Sequence, residues 1–358
     1  MSKNVPETML EALVHSTGKV SIHRTDLPQP DGNEVLIEVF AAGMNPKDWK
    51  VPQFFPSFDG TNQGDDIAGV VRKVGSAVIK FKPGDRVAAY HDMRRPGGGA
   101  YADYAIAPEH ATFHIPAVLD FERAATIPLS YMTAAVALFV RLGLPEPWVA
   151  RAHPDKLPEG GILIYGGASA VGAYAIQLAR YAGIHPIITV AGNGLPLVEK
   201  FLQSDKGDVA IDYRQSTPDL IRDLKTALAG KELKFALDAV ADQSKSTRDN
   251  ILAVMASGGN LTTVIPTESA NEKTRSIFNV SFTSVGVVFN SDQDFGEVWF
   301  QLASRGLREG WLVPHPFEMV QGGLAGIQDA LKKLQDGKIS ARKYVVRVKD
   351  TVTTPTMT

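Results

Sequence analysis

The spacing of apolar residues changes near Ala124, and that change divides the chain. Upstream, short apolar runs alternate with polar positions between Gly and Pro. Val35–Val39 lies between the turn Pro30-Asp31-Gly32 and a bend at Gly43, Ile67–Gly75 follows, and Phe81–Ala88 is entered through Pro83-Gly84. Short strands so punctuated predict an antiparallel, barrel-like fold. Downstream, runs of strand length alternate with helical spacing: Ala134–Leu142, Ile162–Tyr165, Val171–Ala182, Pro186–Val190, Leu197–Leu202, Val209–Asp212, Leu220–Leu228, Phe235–Ala239 and Thr247–Met255. This alternation predicts a doubly wound α/β sheet, with Ser281–Phe289 as its last strand. Ile327–Leu334 predicts a helix, and Tyr344–Val348 a strand returning to the first domain. Leu144–Gly160, with Pro145, Pro147, Pro154 and Pro158, predicts an extended loop.

Ile162–Tyr165 runs into Gly166-Gly167-Ala168-Ser169-Ala170-Val171-Gly172, and a helix opens there, with Gly183 placed to cap its far end. Strand, small-residue turn and helix together form the first unit of a dinucleotide-binding half. Gly167 permits a sharp turn. Small side chains at Ser169 and Ala170 let backbone N–H groups approach a pyrophosphate, Val171 beside them is a further candidate contact, and Gly172 lets helix and strand pack closely. The match to G-x-G-x-x-G is imperfect, because Ser169 takes the middle position, and an ordinary glycine-rich crossover is the alternative. The ribose acceptor belongs about 20 residues further on. There His185–Asn193 ends without Asp or Glu, and the lack of a carboxylate that would repel a 2′-phosphate points to NADPH. Gly192, Asn193 and Tyr213-Arg214 are candidate contacts, with simple packing as the alternative for Tyr213. Val264-Ile265 ends a later strand at the carboxyl side, where ligands gather.

At 358 residues the chain is long enough for two domains. Its 44% hydrophobic and 21% charged residues describe an ordinary globular protein. A net charge of −2 gives no electrostatic case for nucleic acid or an anionic membrane. The N-terminal residues lack the basic and apolar regions of a signal peptide, and no apolar run long enough to span a bilayer is expected, so the chain is read as cytoplasmic. There is no cysteine. That excludes disulfides, thiolate catalysis and cysteine-ligated zinc, and no metal site is expected.

Five motifs in order resemble the medium-chain dehydrogenase/reductase superfamily: Asn45-Pro46-Lys47-Asp48, Gly64-Asp65-Asp66-Ile67-Ala68-Gly69, Pro83-Gly84-Asp85-Arg86-Val87, Gly98-Gly99-Ala100-Tyr101-Ala102-Asp103-Tyr104 and the Gly166–Gly172 turn. Within it the chain is similar to the zinc-independent quinone oxidoreductase and enoyl reductase branch, and most to fungal ToxD-like and lovastatin-type trans-acting enoyl reductases. Val320-Gln321-Gly322-Gly323-Leu324, Asp336-Gly337-Lys338-Ile339-Ser340 and Lys343-Tyr344-Val345-Val346 carry that likeness. The resemblance implies a GroES-like catalytic domain, 1–127 with 295–358, and a Rossmann NADPH-binding domain, 128–294. Where zinc alcohol dehydrogenases place a cysteine ligand this chain has Asn45, and where they place His-Glu it has Asp65-Asp66.

By resemblance, Asn45 and Pro46 border the nicotinamide. Thr133 contacts its carboxamide or ribose side, Lys50 matches a site lysine, and Val288, Phe289 and Lys343 join the cofactor contacts. Lys50, Thr133 and Tyr131 are the catalytic candidates. The plain alternatives are a turn cap for Asn45, a helix cap for Thr133, a surface charge for Lys50 and apolar packing for Tyr131. Asp66 and Arg86 are expected to form a buried ion pair. Phe54, Phe55 and Phe58 stand where other branches carry a tyrosine acid, which leaves the proton donor open, and with Trp49 they suggest an apolar wall. The implied reaction is NADPH-dependent reduction of an activated C=C, on a small-molecule or acyl-thioester substrate with a possible polyketide synthase partner, by a monomer or a homodimer. A quinone reductase and a non-catalytic NADPH-binding protein are the alternatives.

Overall fold

The structure, a computed structural model, describes residues 5–266, 274 and 276–351. The chain forms two compact units, one from the residues up to Leu129 and those from Gly286 onward, the other from Ser130–Val285. It lays down β1 (Thr8–Val14), β2 (Val20–Asp26), β3 (Glu34–Gly43), β4 (Asp66–Val74), β5 (Arg86–Tyr90), β6 (Tyr104–Pro108) and β7 (Thr112–His114). Next come β8 (Ile162–Tyr165), β9 (Ile187–Ala191), β10 (Val209–Asp212), β11 (Leu233–Asp238), β12 (Met255–Thr263) and β13 (Asn279–Phe282). β14 (Phe317–Val320) and β15 (Lys343–Arg347) close the chain.

In the first unit β1 and β2 form a hairpin, and a larger sheet runs β14-β15-β3-β4-β5-β7, with β6 also on β3. β3 is the centre: it takes β4 along its length, β6 at its start and β15 at its end, all antiparallel. Its apolar run is consequently buried on both faces. Gly69 in β4 makes that pairing possible, since a Cβ there would lie 1.9 Å from the Glu38 carbonyl oxygen. The core gathers Val35, Ile37, Val39, Ile67, Val71 and Val87 with Tyr101. The helix Gln293–Glu309 covers β7, with Phe300 stacked on Phe113 at 5.3 Å between ring centroids.

The second unit is a six-stranded sheet in the order β10-β9-β8-β11-β12-β13, with every adjacent pair parallel. In order of appearance these strands run 3-2-1-4-5-6, the doubly wound dinucleotide-binding arrangement. Helix Thr217–Leu228 buries Leu220, Leu224 and Leu228 at four-residue spacing, which places them on one face against the sheet core.

Several elements depart from expectation. The helix placed at Ala134–Leu142 starts at Pro128 and continues from Val136 to Arg141 as a wider π turn, so Thr133 lies inside a helix and not at its N-terminus. Proline fits the first turn because its missing N–H has no partner there in any case. Leu144–Gly160 contains the helix Pro147–Ala152. Thr247–Met255 is helical only to Leu252, and Met255 begins β12. β13 stops at Phe282, and Val285–Phe289 is a 3-10 turn. The chain therefore re-enters the first unit at Gly286, not 295, because Phe289 packs there, 4.7 Å from the Tyr90 ring. One run, Phe121–Arg141, is 21 residues with an 18-residue window of mean hydropathy 1.4, long and apolar enough to cross a bilayer, contrary to expectation; 89% of that window is buried inside the protein, as in a core helix.

Candidate active site

The parallel sheet brings most of the expected cofactor contacts to its carboxyl edge. Gly166–Gly172 follows β8, Gly192-Asn193 follows β9, Tyr213-Arg214 follows β10 and Val264-Ile265 follows β12. Gly166, and not Gly167, makes the sharp turn, with φ +87°. Gly167 is needed for closeness, since a Cβ on it would lie 2.0 Å from Thr189 Oγ1. Ser169 caps the helix Ala170–Tyr181: its Oγ accepts from the Gly172 N–H at 3.0 Å, while its carbonyl accepts from Ala173 N–H at 2.8 Å. The first four N–H groups of a helix have no intrahelical acceptor, so those of Ala170 and Val171 remain for a ligand. With the helix dipole behind them, they fit the pyrophosphate of a dinucleotide.

Beyond β9, Gly192 is required because a Cβ would lie 2.6 Å from the Tyr213 ring. Tyr213 carries the Lys245 ammonium over its face at 5.3 Å. Asn193 Oδ1 accepts from Arg214, whose guanidinium also grips Asp212, Nη2 to Oδ2 at 2.6 Å and Nε to Oδ1 at 2.9 Å. Those donated bonds hold the Asp212 carboxyl down at about 2. Arg214 is thus anchored beside the position where the ribose acceptor belongs.

In the first unit, the chemistry collects around Asp66 at the start of β4. It is fully buried and accepts from Asn45 Nδ2 at 2.7 Å, from Leu129 N–H at 2.6 Å and from the Lys343 ammonium. Lys343, expected at the cofactor, is 4% exposed and is the counter-ion of Asp66. The expected Asp66–Arg86 pair does not form: Arg86 Nη2 donates to the Leu119 carbonyl at 2.6 Å and its guanidinium lies 3.9 Å over Phe121. Asn45 is 3% exposed, with its N–H on Asp48 Oδ2 at 2.7 Å, so it both closes the turn and braces Asp66.

The sequence reading passed over Lys47. Its ammonium donates to the Gln63 carbonyl at 2.7 Å and lies 2.8 Å from Asp65 Oδ2 and 3.4 Å from Asp48 Oδ1. Asp48 Oδ2 also accepts from the Tyr101 hydroxyl at 2.6 Å. Burial pushes Asp65 up to about 7, against the pull of Lys47. Burial likewise raises Asp48 and drives the Tyr101 phenol well above its usual value. His91 beside them is lowered to about 4 by burial. The signal was available, as a lysine in the variable position of Asn-Pro-x-Asp.

Other candidates sit differently. Tyr131 is fully buried, edge-to-face with Tyr174 at 6.1 Å, and burial drives its phenol well above the ordinary value. Thr133 is 6% exposed within its helix. Val288 is fully buried and Phe289 packs on Tyr90 in the first unit, so neither continues the nucleotide sheet as expected. Lys50 lies on the helix Lys47–Phe54 beside Trp49, its ammonium 5.4 Å from that ring. Pro46 is exposed at the N-terminus of this helix. Phe54 and Phe55 are 65% and 56% exposed, so these aromatics are not core.

A GroES-like unit and a glycine-turn dinucleotide sheet define a medium-chain nicotinamide oxidoreductase. The alcohol dehydrogenase GroES-like domain family matches residues 31–117. The chain is 38% identical to the trans-enoyl reductase fsr4 of Gibberella fujikuroi, over 89% of this chain and 93% of that protein. It is 31% identical to the trans-enoyl reductase grgB of a Penicillium species, over 95% and 99%. To lovC, the enoyl reductase component of lovastatin nonaketide synthase from Aspergillus terreus, it is 29% identical over 90% and 91%. Its fold matches the crystal structure of the CurK enoyl reductase, with TM-score 0.74 and 19% identity over 95% of this chain and 98% of that one. The quinone oxidoreductase of Coxiella burnetii gives 0.70 and 20% over 95% and 99%. The chain belongs to the medium-chain dehydrogenase/reductase superfamily and, within it, to the fungal trans-enoyl reductases. It is an oxidoreductase that works with a nicotinamide cofactor.

Two stability predictions follow from the cluster. Lys343→Met leaves Asp66 buried without its counter-ion, and the denaturant midpoint should fall by the equivalent of about 3 kcal/mol, with Asp66→Asn added to it recovering part of the loss. Asp65, at about 7 folded against 3.8 unfolded, keeps a proton in the folded state that the unfolded chain releases. Its stabilising contribution is therefore complete below about 4 and lost as pH rises through 7. In thermal melts, the melting temperature of wild type minus that of Asp65→Asn should decline across this window and level off above it.

Proposed function

We propose that the protein reduces the C=C bond of an α,β-unsaturated acyl thioester with NADPH, acting in trans on a chain held by a polyketide synthase. Two relatives are named trans-enoyl reductases, and a third is the enoyl reductase component of a nonaketide synthase. The observation that carries the substrate class is on the helix Lys47–Phe54. Lys50 and Phe54 stand four residues apart and share a face, and Phe54 is 65% exposed. A cation and an open apolar ring on one face suit an acyl chain on a phosphate-bearing arm.

When bound, the nicotinamide supplies hydride to the β-carbon. The protein's own work is to hold and to exclude. The N–H groups of Ala170 and Val171 take the pyrophosphate at the helix terminus. Asn193 and Arg214 take the 2′-phosphate, a role supported by the missing carboxylate after β9 and by the contact between these two side chains. Phe54 and Phe55 flank the acyl chain and keep water from it.

The test is cofactor consumption by the purified protein with α,β-unsaturated acyl thioesters and, in parallel, quinones, using NADPH and then NADH. Thioester turnover with NADPH preferred is expected. Quinone turnover alone would convert the reading to a detoxifying reductase, and preference for NADH would overturn the 2′-phosphate assignment. Arg214→Ala should raise KM for NADPH on the order of tenfold and leave KM for NADH unchanged.

A further inference from the structure

The ionic cluster of the first unit holds more acid than base. Asp48, Asp65 and Asp66 are at most 1% exposed, and two ammonium groups, Lys47 and Lys343, stand against them. Lys343 belongs to Asp66, which also takes the N–H groups of Asn45 and Leu129. The remaining three, Lys47, Asp48 and Asp65, carry one positive and two negative charges when all are ionised. A buried net charge is costly, and one proton removes it.

Geometry says where that proton goes. Asp48 Oδ2 already accepts from the Tyr101 hydroxyl and the Asn45 N–H, at 2.6 and 2.7 Å, which holds Asp48 as a carboxylate. Among the described residues, no donor apart from the Lys47 ammonium reaches either Asp65 oxygen. The other titratable groups facing Asp65 do not compete. Tyr90 and Tyr101 are buried phenols, and His91 is buried with its Nδ1 on the Ile106 carbonyl oxygen at 2.8 Å. Lys47 is the member with access to the outside, its side chain 21% exposed, two residues from Asn45 and three from Lys50.

We propose that Lys47 and Asp65 form a one-proton store that supplies the α-carbon proton of the reduction. The proposal rests on the reading that hydride is added to an enoyl thioester, leaving an enolate. The N–H bond of the Lys47 ammonium breaks, the proton forms the new C–H bond, and the electron pair stays on Nζ. The Asp65 O–H bond then breaks and its proton restores the ammonium. Solvent reprotonates the carboxylate left behind, so the cycle consumes one solvent proton and no further reagent.

The test has two arms on the whole protein. Infrared titration should show the carbonyl stretch of a protonated carboxyl that disappears around neutrality in wild type and is missing from Asp65→Asn. In steady-state assays on an enoyl thioester, wild-type kcat should fall over that same interval, and Asp65→Asn should lose this pH dependence. Lys47→Met should lower kcat by roughly 10²-fold or more with KM for the cofactor unchanged. Lys47→Arg, which keeps the buried charge and cannot release a proton at these pH values, should remain folded and share the loss. A carboxyl band that is absent, or that persists in Asp65→Asn, overturns the store. So does the expected band joined to unaltered kcat profiles in the variants, which would make Asp65 a buried acid with no part in the reaction. Wild type that shows the band but turns over no thioester removes the underlying reading of function, and the proposal falls with it.

Discussion

A carboxylate buried at the start of a strand must be neutralised and fully hydrogen-bonded, and Asp66 meets that demand by drawing on segments far apart in the chain. Asn45 comes from the loop after β3, Leu129 from the long helix that leads to the nucleotide unit, and Lys343 from the first residue of β15, 277 positions away. Lys343 brings β15 to the end of β3, where Val345 faces Gly43. The C-terminal strand is thereby part of the sheet that presents Asn45, and the site loop cannot be shaped without the chain's far end. Such a pair adds little net stability over a well-packed apolar alternative, but breaking it is expensive, so it specifies an arrangement.

The same corner shows how a protein without cysteine fills a position that zinc enzymes of the superfamily give to metal ligands. Asn45 presents an amide that donates to Asp66. Asp65 faces an ammonium that donates to the Gln63 carbonyl and lies 2.8 Å from Asp65 Oδ2 and 3.4 Å from Asp48 Oδ1. A lysine ammonium is a fixed single charge that cannot polarise an alcohol as a Lewis acid does. What it can do, and a divalent metal cannot, is give up a proton and take one back. The substitution of charge carriers thus changes which chemistry the corner supports, away from alcohol oxidation and toward protonating a carbanion equivalent.

How far the sequence exposed this depends on the range of each signal. The β8 turn and the helix after it were legible because the small residues of Gly166–Gly172 and Gly183 at φ +78° act within a few residues of the backbone they shape. The parallel sheet followed from alternating periodicities. Val285–Phe289 was misplaced because an apolar run has no intrinsic period, and only packing of Phe289 on Tyr90 decides that it turns. Thr133 was misplaced by reading past Pro128, a local start signal. The Asp66–Lys343 pair was beyond reach, since no pattern in one sequence connects residues so distant, and the nearer Arg86 was the natural guess. Lys47 was visible at its position, but its importance lies in three partners that only the fold assembles.

Each unit therefore carries a distinct kind of recognition. The nucleotide unit offers an anion neutral donors, the backbone N–H groups at one helix terminus, and reserves a guanidinium pinned by Asp212 for the edge of the site. Because Arg214 is already oriented by two bonds to that carboxylate, a ligand would engage it with little further loss of side-chain freedom. The GroES-like unit does the opposite and concentrates ionisable groups out of water, where a single proton changes the balance of the whole cluster. Backbone donors carry no proton that can be lost near neutral pH, and a buried acid does. The division lets one chain hold a pyrophosphate on donors that do not titrate while keeping a proton available at the other set of residues.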